Sequence, residues 1–530
     1  MAINEKQLEK LGAFEISSEM LKLAKKNQKS NVFLNAGRGN PNWINTLARL
    51  AFCRIMEFGV RESRLTIDIG DMAGYVQTNG IYNRLLKFLS PDDRREDKFI
   101  VDSLTYLDKE LDLPLDEVVA EMTNGIIGNN YPVPNRILKY SEIILNKYLE
   151  STLYDGEKLA DSTDLFATEG GTAAIVYAFH SLSENHLLKP GDKVAINTPI
   201  FTPYLEIPEL NDYELMELDL GSHEKDDWEI RASELEKLAD PSVKAFFVVN
   251  PSNPGSKAFD RKALTAVKHA IEKNPNLMII TDDVYGTFVS DFKTIYSVAP
   301  HNTMLVYSFS KLYGATGWRL GLIGLNQENI FDKKISELDE TDKKELATRY
   351  EHVVVDPAKM KFIDRITADS RSVGLYHTSG LSTPQQIMED LFALTHLVYA
   401  SGSVDSYINE SRLLVNRRYE DLYKSIGAKE DVSRTNAKYY SLIDIYKIAE
   451  EKYGSDFEKY LEDNFEQVDF LLKLAEKNGV VLMDGVGFGS KAGELRVSEA
   501  NLPTKKYKVI GQQVLDLLQE YHESFEKKNK

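Results

Sequence analysis

TMLVYSFSKLYGATGWRLGLIGL, residues 303–325, places two apolar runs of strand length on either side of a polar, glycine-rich stretch with a single lysine. TMLVY (303–307) and GLIGL (321–325) are continuous apolar runs bounded by turn residues, the pattern of strands covered on both faces. Between them, SFSKLYGATGWRLG (308–321) puts Lys311 just past a strand, where open α/β sheets bind ligands. Ser308 and Ser310 flank it with short hydrogen-bonding side chains, and Arg319 follows eight residues on. A lysine nucleophile needs a lowered pKa, which partial burial and a neighbouring cation supply. A lone lysine here would read as a surface residue at a helix start. Ser-x-Ser before it and Gly-x-Arg after it reverse that reading.

The same rhythm extends outward. KVAIN (193–197), KAFFVV (244–249) and LMIIT (277–281) are further buried-strand runs, while 172–185 and 261–274 have helical patterns. Strands alternating with helices predict an α/β domain around a parallel sheet covered on both faces. Residues 326–375 are polar and helix-prone, and read as a helical insertion. From about 392 come long amphipathic helices and then the short runs YYSLIDI (439–445), VVLMD (480–484) and ELRVS (494–498). They predict a smaller α+β domain. The expected division is an N-terminal segment joining the small domain (1–60), a large ligand-binding domain (61–390) and the small domain (391–530).

Five hundred and thirty residues exceed one core. A net charge of −18 argues against general nucleic-acid or membrane-surface binding, so an anionic substrate needs a local basic site. The single cysteine, Cys53, cannot form an internal disulfide; this fits a reducing cytoplasm, and it reads as a small buried apolar side chain. The first thirty residues are charged throughout and do not read as a signal peptide, and no run approaches the ~20 apolar residues of a membrane helix.

Four more stretches follow strand ends or open helices. NPSNPGSKAF (250–259) is a rigid turn, and Asn253 is either part of a plain turn or an amide donor to a phenolate oxygen. In TDDVYGTF (281–288), Asp282 is either a helix cap or a buried carboxylate that keeps a ring nitrogen protonated, with Tyr285 three residues on. ATEGGTAAI (167–175) opens a helix with Gly170, Gly171 and Thr172. This suits a phosphate, but it has neither GxxxxGK[ST] nor GxGxxG, which disfavours a nucleotide site. NTPIFTPY (197–204) offers Phe201, then Tyr204, as a ring to stack on a planar cofactor. In ELRVSEA (494–500), Arg496 in an apolar strand needs an anion, either a structural partner or a substrate carboxylate.

In this order, the stretches resemble the aspartate aminotransferase superfamily, the fold-type I pyridoxal-phosphate enzymes. The resemblance runs from about residue 34 to 500; it implies a large α/β domain with a mostly parallel seven-stranded sheet plus a smaller α+β domain, and a role for each match. Lys311 would hold pyridoxal 5′-phosphate and shuttle protons, Asp282 would pair with the ring nitrogen, and Asn253 and Tyr285 would donate to the ring oxygen. Gly170, Gly171, Thr172, Ser308, Ser310 and Arg319 would cradle the phosphate, and Arg496 would clamp the substrate α-carboxylate. Tyr131, in NNYPVPNR (129–136), would reach the phosphate of a partner subunit, making a homodimer the active unit.

The length, LNAGRGNPNW (34–43), GNNYPVP (128–134), the insertion and YHTSGLSTPQQ (376–386) resemble one branch, the aspartate 4-decarboxylases. That branch implies loss of the β-carboxylate of L-aspartate as CO2 to give alanine, with aspartate aminotransferase activity on 2-oxo acids (pyruvate, 2-oxoglutarate or oxaloacetate) alongside. It also implies a larger homo-oligomer, such as a dodecamer, and no metal. Gly39 and Arg38 would lie at the substrate, with Arg371 a further candidate for the β-carboxylate. A plain aminotransferase is the alternative. The cofactor-sensing half of a transcription regulator is disfavoured, because no basic DNA-reading segment is evident in this acidic chain.

Overall fold

The computed structural model describes residues 12–26, 33–67, 72–132, 135–222, 224, 228–377, 380–400, 405–465 and 467–528. Parts of the quoted stretches 1–30, 128–134 and 376–386 lie outside the described residues.

Twelve strands are described: β1 Leu34–Asn35, β2 Thr163–Thr168, β3 Lys193–Thr198, β4 Glu214–Asp219, β5 Val243–Val249, β6 Met278–Asp282, β7 Thr303–Ser308, β8 Gly321–Asn326, β9 Tyr440–Asp444, β10 Val480–Val481, β11 Met483–Asp484 and β12 Glu494–Ser498. β2 to β8 form one sheet in the order β2-β8-β7-β6-β5-β3-β4. Every neighbouring pair from β4 to β7 is parallel, and β8 runs antiparallel to both β7 and β2. The reversal has a local cause: residues 309–320 join β7 to β8 without a helix that could carry the chain back for a parallel strand. The apolar-run criterion finds the buried strands of the sheet centre. It misses β4, whose residues ELMELD are mostly exposed at the sheet edge.

Helices cover the sheet. We label α1 Ala13–Lys26, α2 Thr46–Arg64, α3 Gly171–Glu184, α4 Thr383–Tyr399, α5 Ser406–Ile426 and α6 Lys505–Lys528. The 326–375 stretch folds as the helices Ile330–Ser336, Glu340–Tyr350 and Phe362–Asp369. α2 begins at Asn45, whose side chain accepts from Ala48 N, a cap worth about 1 kcal/mol. Its buried face runs through Ala48, Ala51, Ile55 and Phe58 at helical spacing. Cys53 falls on the other face and is exposed, which corrects the expectation of a buried side chain.

Two large apolar cores result, and a third, smaller one includes Ala195, Phe246 and Ile279 of the sheet. The first packs one face of the sheet against α2, α3 and α4. The second joins α1, β1, β9, β10 and β12 to the C-terminal helices, α6 among them. Leu34 and Ala36 belong to the second core and Ala48 to the first, so the chain crosses between cores from 37 to 47. α5 crosses back, with Ile408 and Val415 in the first core and Tyr419, Leu422 and Ile426 in the second. No helix among the described residues is long and apolar enough to cross a membrane.

Candidate active site

The sheet register fixes the site. Val249 pairs with Asp282, Asp282 with Val306, and Gly321 with both Ser308 and Thr168, so the ends of β2, β5, β6, β7 and the start of β8 lie along one edge. The segments leaving that edge, with the 37–47 crossing and β9 and β12 of the second core, enclose a cavity of about 290 Å³. Gly171, Thr172, Phe201, Asn253, Asp282, Tyr285, Ser308, Ser310, Lys311, Arg319, Arg496 and Gly39 all line it. Lys311 and Asp282 therefore share one cavity.

At one end, backbone groups converge. Gly170 stands before α3 at φ +90°, and no side chain caps the helix, so its first N–H groups stay available. A Cβ on Gly170 would sit 2.5 Å from Arg319 Nη2, and one on Gly321 would sit 2.7 Å from the Gly170 carbonyl carbon. Only glycine allows β2, β8 and Arg319 to press together here. Ser308 Oγ lies 2.8 Å from both Ser310 Oγ and Leu320 O. Arg319 adopts φ +56°, an uncommon conformation for a residue with a side chain, and donates from Nη1 to Thr316 O at 2.9 Å. Helix N–H groups, hydroxyls and a guanidinium with no anion among them form a receptor for a phosphate.

Deeper in, Asp282 is 5% exposed, and it accepts from Tyr204 Oη at 3.3 Å and from Val284 N at 3.2 Å. Burial pushes its carboxyl up to about 6, against those two hydrogen bonds and the charge of Lys311. Tyr204 thus bonds the carboxylate, while Phe201 stands edge-on to it at 5.2 Å and faces the cavity. Behind Asp282, burial raises Asp283 to about 7; it accepts from Thr281 Oγ1 at 2.6 Å.

At the other end, Lys311 Nζ donates to Gly39 O at 3.3 Å, and Tyr439 Oη donates to the same carbonyl at 2.8 Å. Arg496 is 1% exposed, and burial lowers its pKa. Its guanidinium donates to Asn253 Oδ1 at 3.0 Å, Gly37 O at 2.7 Å and Met483 Sδ at 2.7 Å. Its Nε is buried with no hydrogen-bond partner among the described residues. The acceptors of its hydrogen bonds are neutral, and the buried Glu499 acts on it only through space, so its N–H edge can take an incoming anion. With its oxygen turned to Arg496, Asn253 keeps its NH2 as the free donor.

Three candidates lie elsewhere. Arg38 is exposed and does not line the cavity, although Gly37 and Gly39 on either side of it contact Arg496 and Lys311. Tyr131 is 65% exposed and outside this chain's cavity. Arg371 pairs with Glu169 and does not line the cavity. The sequence reading also missed Tyr440, whose hydroxyl lies 3.1 Å from that of Tyr285. YYSLIDI showed only an apolar strand, and a tyrosine in a strand carries no spacing signal of its own.

The chain matches the family Aminotransferase class I and II over residues 112–513. It is 42% identical over 532 residues, covering 99% of each chain, to a Pseudomonas sp. protein named bifunctional aspartate aminotransferase and L-aspartate beta-decarboxylase. Solved structures of the same fold include the Thermus thermophilus aspartate aminotransferase with maleate, at TM-score 0.59 and 16% identity over 98% of this chain and 100% of that one. Bna3p from Saccharomyces cerevisiae gives TM-score 0.60 and 17% identity over 98% and 99%.

Proposed function

Because the chain belongs to the class I and II aminotransferase family, we propose that it is a pyridoxal-phosphate enzyme that converts L-aspartate to alanine and CO2 and also transaminates aspartate. One observation carries this reading. Lys311, the buried Asp282, the anion receptor at α3 and the buried Arg496 line a single cavity, in a chain 42% identical along its length to the bifunctional Pseudomonas protein.

The residues fit the cofactor. The uncapped α3 terminus, Thr172, Ser308, Ser310 and Arg319 would hold its phosphate. Asp282, raised to about 6 by burial, would ionise opposite a ring N–H⁺ and keep that proton in place. Asn253 and Tyr285 would donate to the ring oxygen. Bound there, pyridoxal phosphate supplies an aldehyde that condenses with an amine and a ring that accepts electrons from a cleaved bond.

The chain's own residues do the rest. Arg496 grips the α-carboxylate of aspartate in its dry pocket, which fixes the amino acid's orientation. Lys311 would hold the cofactor's aldehyde carbon, and its Nζ, once free, would serve as the base for the Cα proton and as the acid that gives it back. Loss of the β-carboxylate is fastest when that group is weakly held, since a tight cation there would stabilise the ground state. Among the described residues, Arg496 is the one arginine both fully buried and lining the cavity, which fits one firmly held carboxylate and one loosely held. Arg38, between the two glycines at the mouth, is our candidate to meet the second.

In the same reading, a 2-oxo acid is the second substrate, and the exposed Tyr131 serves the phosphate of a partner copy in a homodimer that assembles further. The lack of any cysteine pair supports a cytoplasmic setting. The test is incubation of the loaded enzyme with aspartate, following CO2, alanine and oxaloacetate. Alanine and CO2 in excess are expected; oxaloacetate formed faster than CO2 would overturn the decarboxylase assignment.

A further inference from the structure

We propose that Tyr440 is a positioning residue that serves both ends of this site, its hydroxyl supporting Tyr285 and its ring holding the guanidinium of Arg496 in place. The inference rests on the reading of the cavity given above and adds to it a residue that links the cofactor end to the substrate end.

Tyr440 is the first residue of β9 and is 2% exposed. Its backbone is pinned on two sides, by pairing with Ser498 of β12 and by donation from its N–H to Ser256 Oγ at 2.7 Å. The side chain reaches into the cavity. There the Arg496 guanidinium carbon lies 4.5 Å from the centroid of the Tyr440 ring and 4.6 Å from that of Phe488. A guanidinium whose carbon lies over two aromatic rings is confined by them in the directions it can turn, and the rings also attract its charge. A flat carboxylate taken edge-on by two parallel N–H groups needs that constraint.

The hydroxyl acts in the other direction. Tyr440 Oη and Tyr285 Oη are 3.1 Å apart, and a Cβ at Gly39 would come within 1.9 Å of the Tyr440 oxygen. The backbone at Gly39 thus closes off one side of the hydroxyl. When Tyr440 donates to Tyr285, the Tyr285 proton is free for the ring oxygen and is a stronger donor for being in a chain. The titratable groups around Tyr285 are Asp282 from β6, Lys311 from the β7–β8 loop, Tyr439 and Tyr440 at β9, and Arg496 from β12. Among these, Tyr440 is the group hydrogen-bonded to the Tyr285 oxygen.

Two substitutions in the cofactor-loaded enzyme separate the roles. Tyr440→Phe keeps the ring and removes the hydroxyl. The pH midpoint of the cofactor's visible absorbance should rise by about half a unit, the size of one hydrogen bond. Turnover should fall about tenfold, while the affinity for maleate, an unreactive dicarboxylate, stays within about twofold. Tyr440→Leu removes the ring as well and should weaken maleate binding about tenfold. An unchanged midpoint in Tyr440→Phe overturns the role of the hydroxyl, whether or not Tyr440→Leu folds. Maleate binding in Tyr440→Phe weakened as much as in Tyr440→Leu overturns the role of the ring. A native enzyme that shows no cofactor absorbance, or whose absorbance survives Lys311→Ala, would instead overturn the reading of the cavity itself.

Discussion

The two ends of the cavity are built in opposite ways. The anion receptor is built on backbone, a helix start and two glycines at van der Waals limits, with hydroxyls and Arg319 added from the helix start and one β-hairpin, all next to the first core. The carboxylate end is mostly side chain: Arg496 from a strand of the second core, Tyr440 from the first core, Asn253 from the turn after β5, and carbonyls from the 37–47 crossing. A backbone receptor binds any phosphate and forms as soon as its own sheet does. A side-chain receptor needs both cores in place, and its selectivity resides in a few residues.

Lys311 stands between the two, and its loss should have the largest effect. Lys311→Ala should lower turnover about 10⁴-fold, at the upper end for one acid–base group, and remove the absorbance of lysine-bound cofactor. Turnover near native would break the scheme at its centre. Arg496→Ala should weaken maleate binding about 10³-fold, the scale of a buried charge pair losing one partner, and leave cofactor affinity within a few-fold. If cofactor affinity fell equally, the two ends would not be separate devices. Gly170→Ala is the converse. At φ +90° and 2.5 Å from Arg319, it should cost cofactor affinity about thirtyfold and leave maleate selectivity alone, as judged by titrating the variant with cofactor and then with maleate.

The smallest effect concerns Asp282 in the cofactor-free chain. Its folded pKa of about 6 lies above the ordinary value of 3.8, so the folded state holds the proton more tightly. That contribution is complete below about 4 and is lost as pH rises through 6. Between pH 5 and 7 the cofactor-free protein should lose about 1–2 kcal/mol more stability than Asp282→Asn, measured by urea unfolding. Equal pH slopes would mean that Asp282 is already ionised in the empty site.

Much of the backbone end was legible in the sequence. Its parts lie within short stretches, 167–175 and 308–321, where glycine, serine and arginine stand at spacings that few other arrangements need. Lys311, Asp282 and Asn253 were legible for a related reason: each follows a buried strand, and strand ends share an edge of the sheet. Arg496 was visible as a charge in an apolar strand. Its neighbours were not, because Gly37, Met483, Phe488 and Tyr440 meet it only through tertiary folding and carry no local pattern. The antiparallel return of β8 was hidden likewise, since a buried strand reads the same in either direction.

The crossing at 37–47 has a mechanical meaning. Within three residues its carbonyls accept from Arg496 and from Lys311. Any slip of one core past the other must therefore tug on the amine and the guanidinium together, as a single tendon would work two joints.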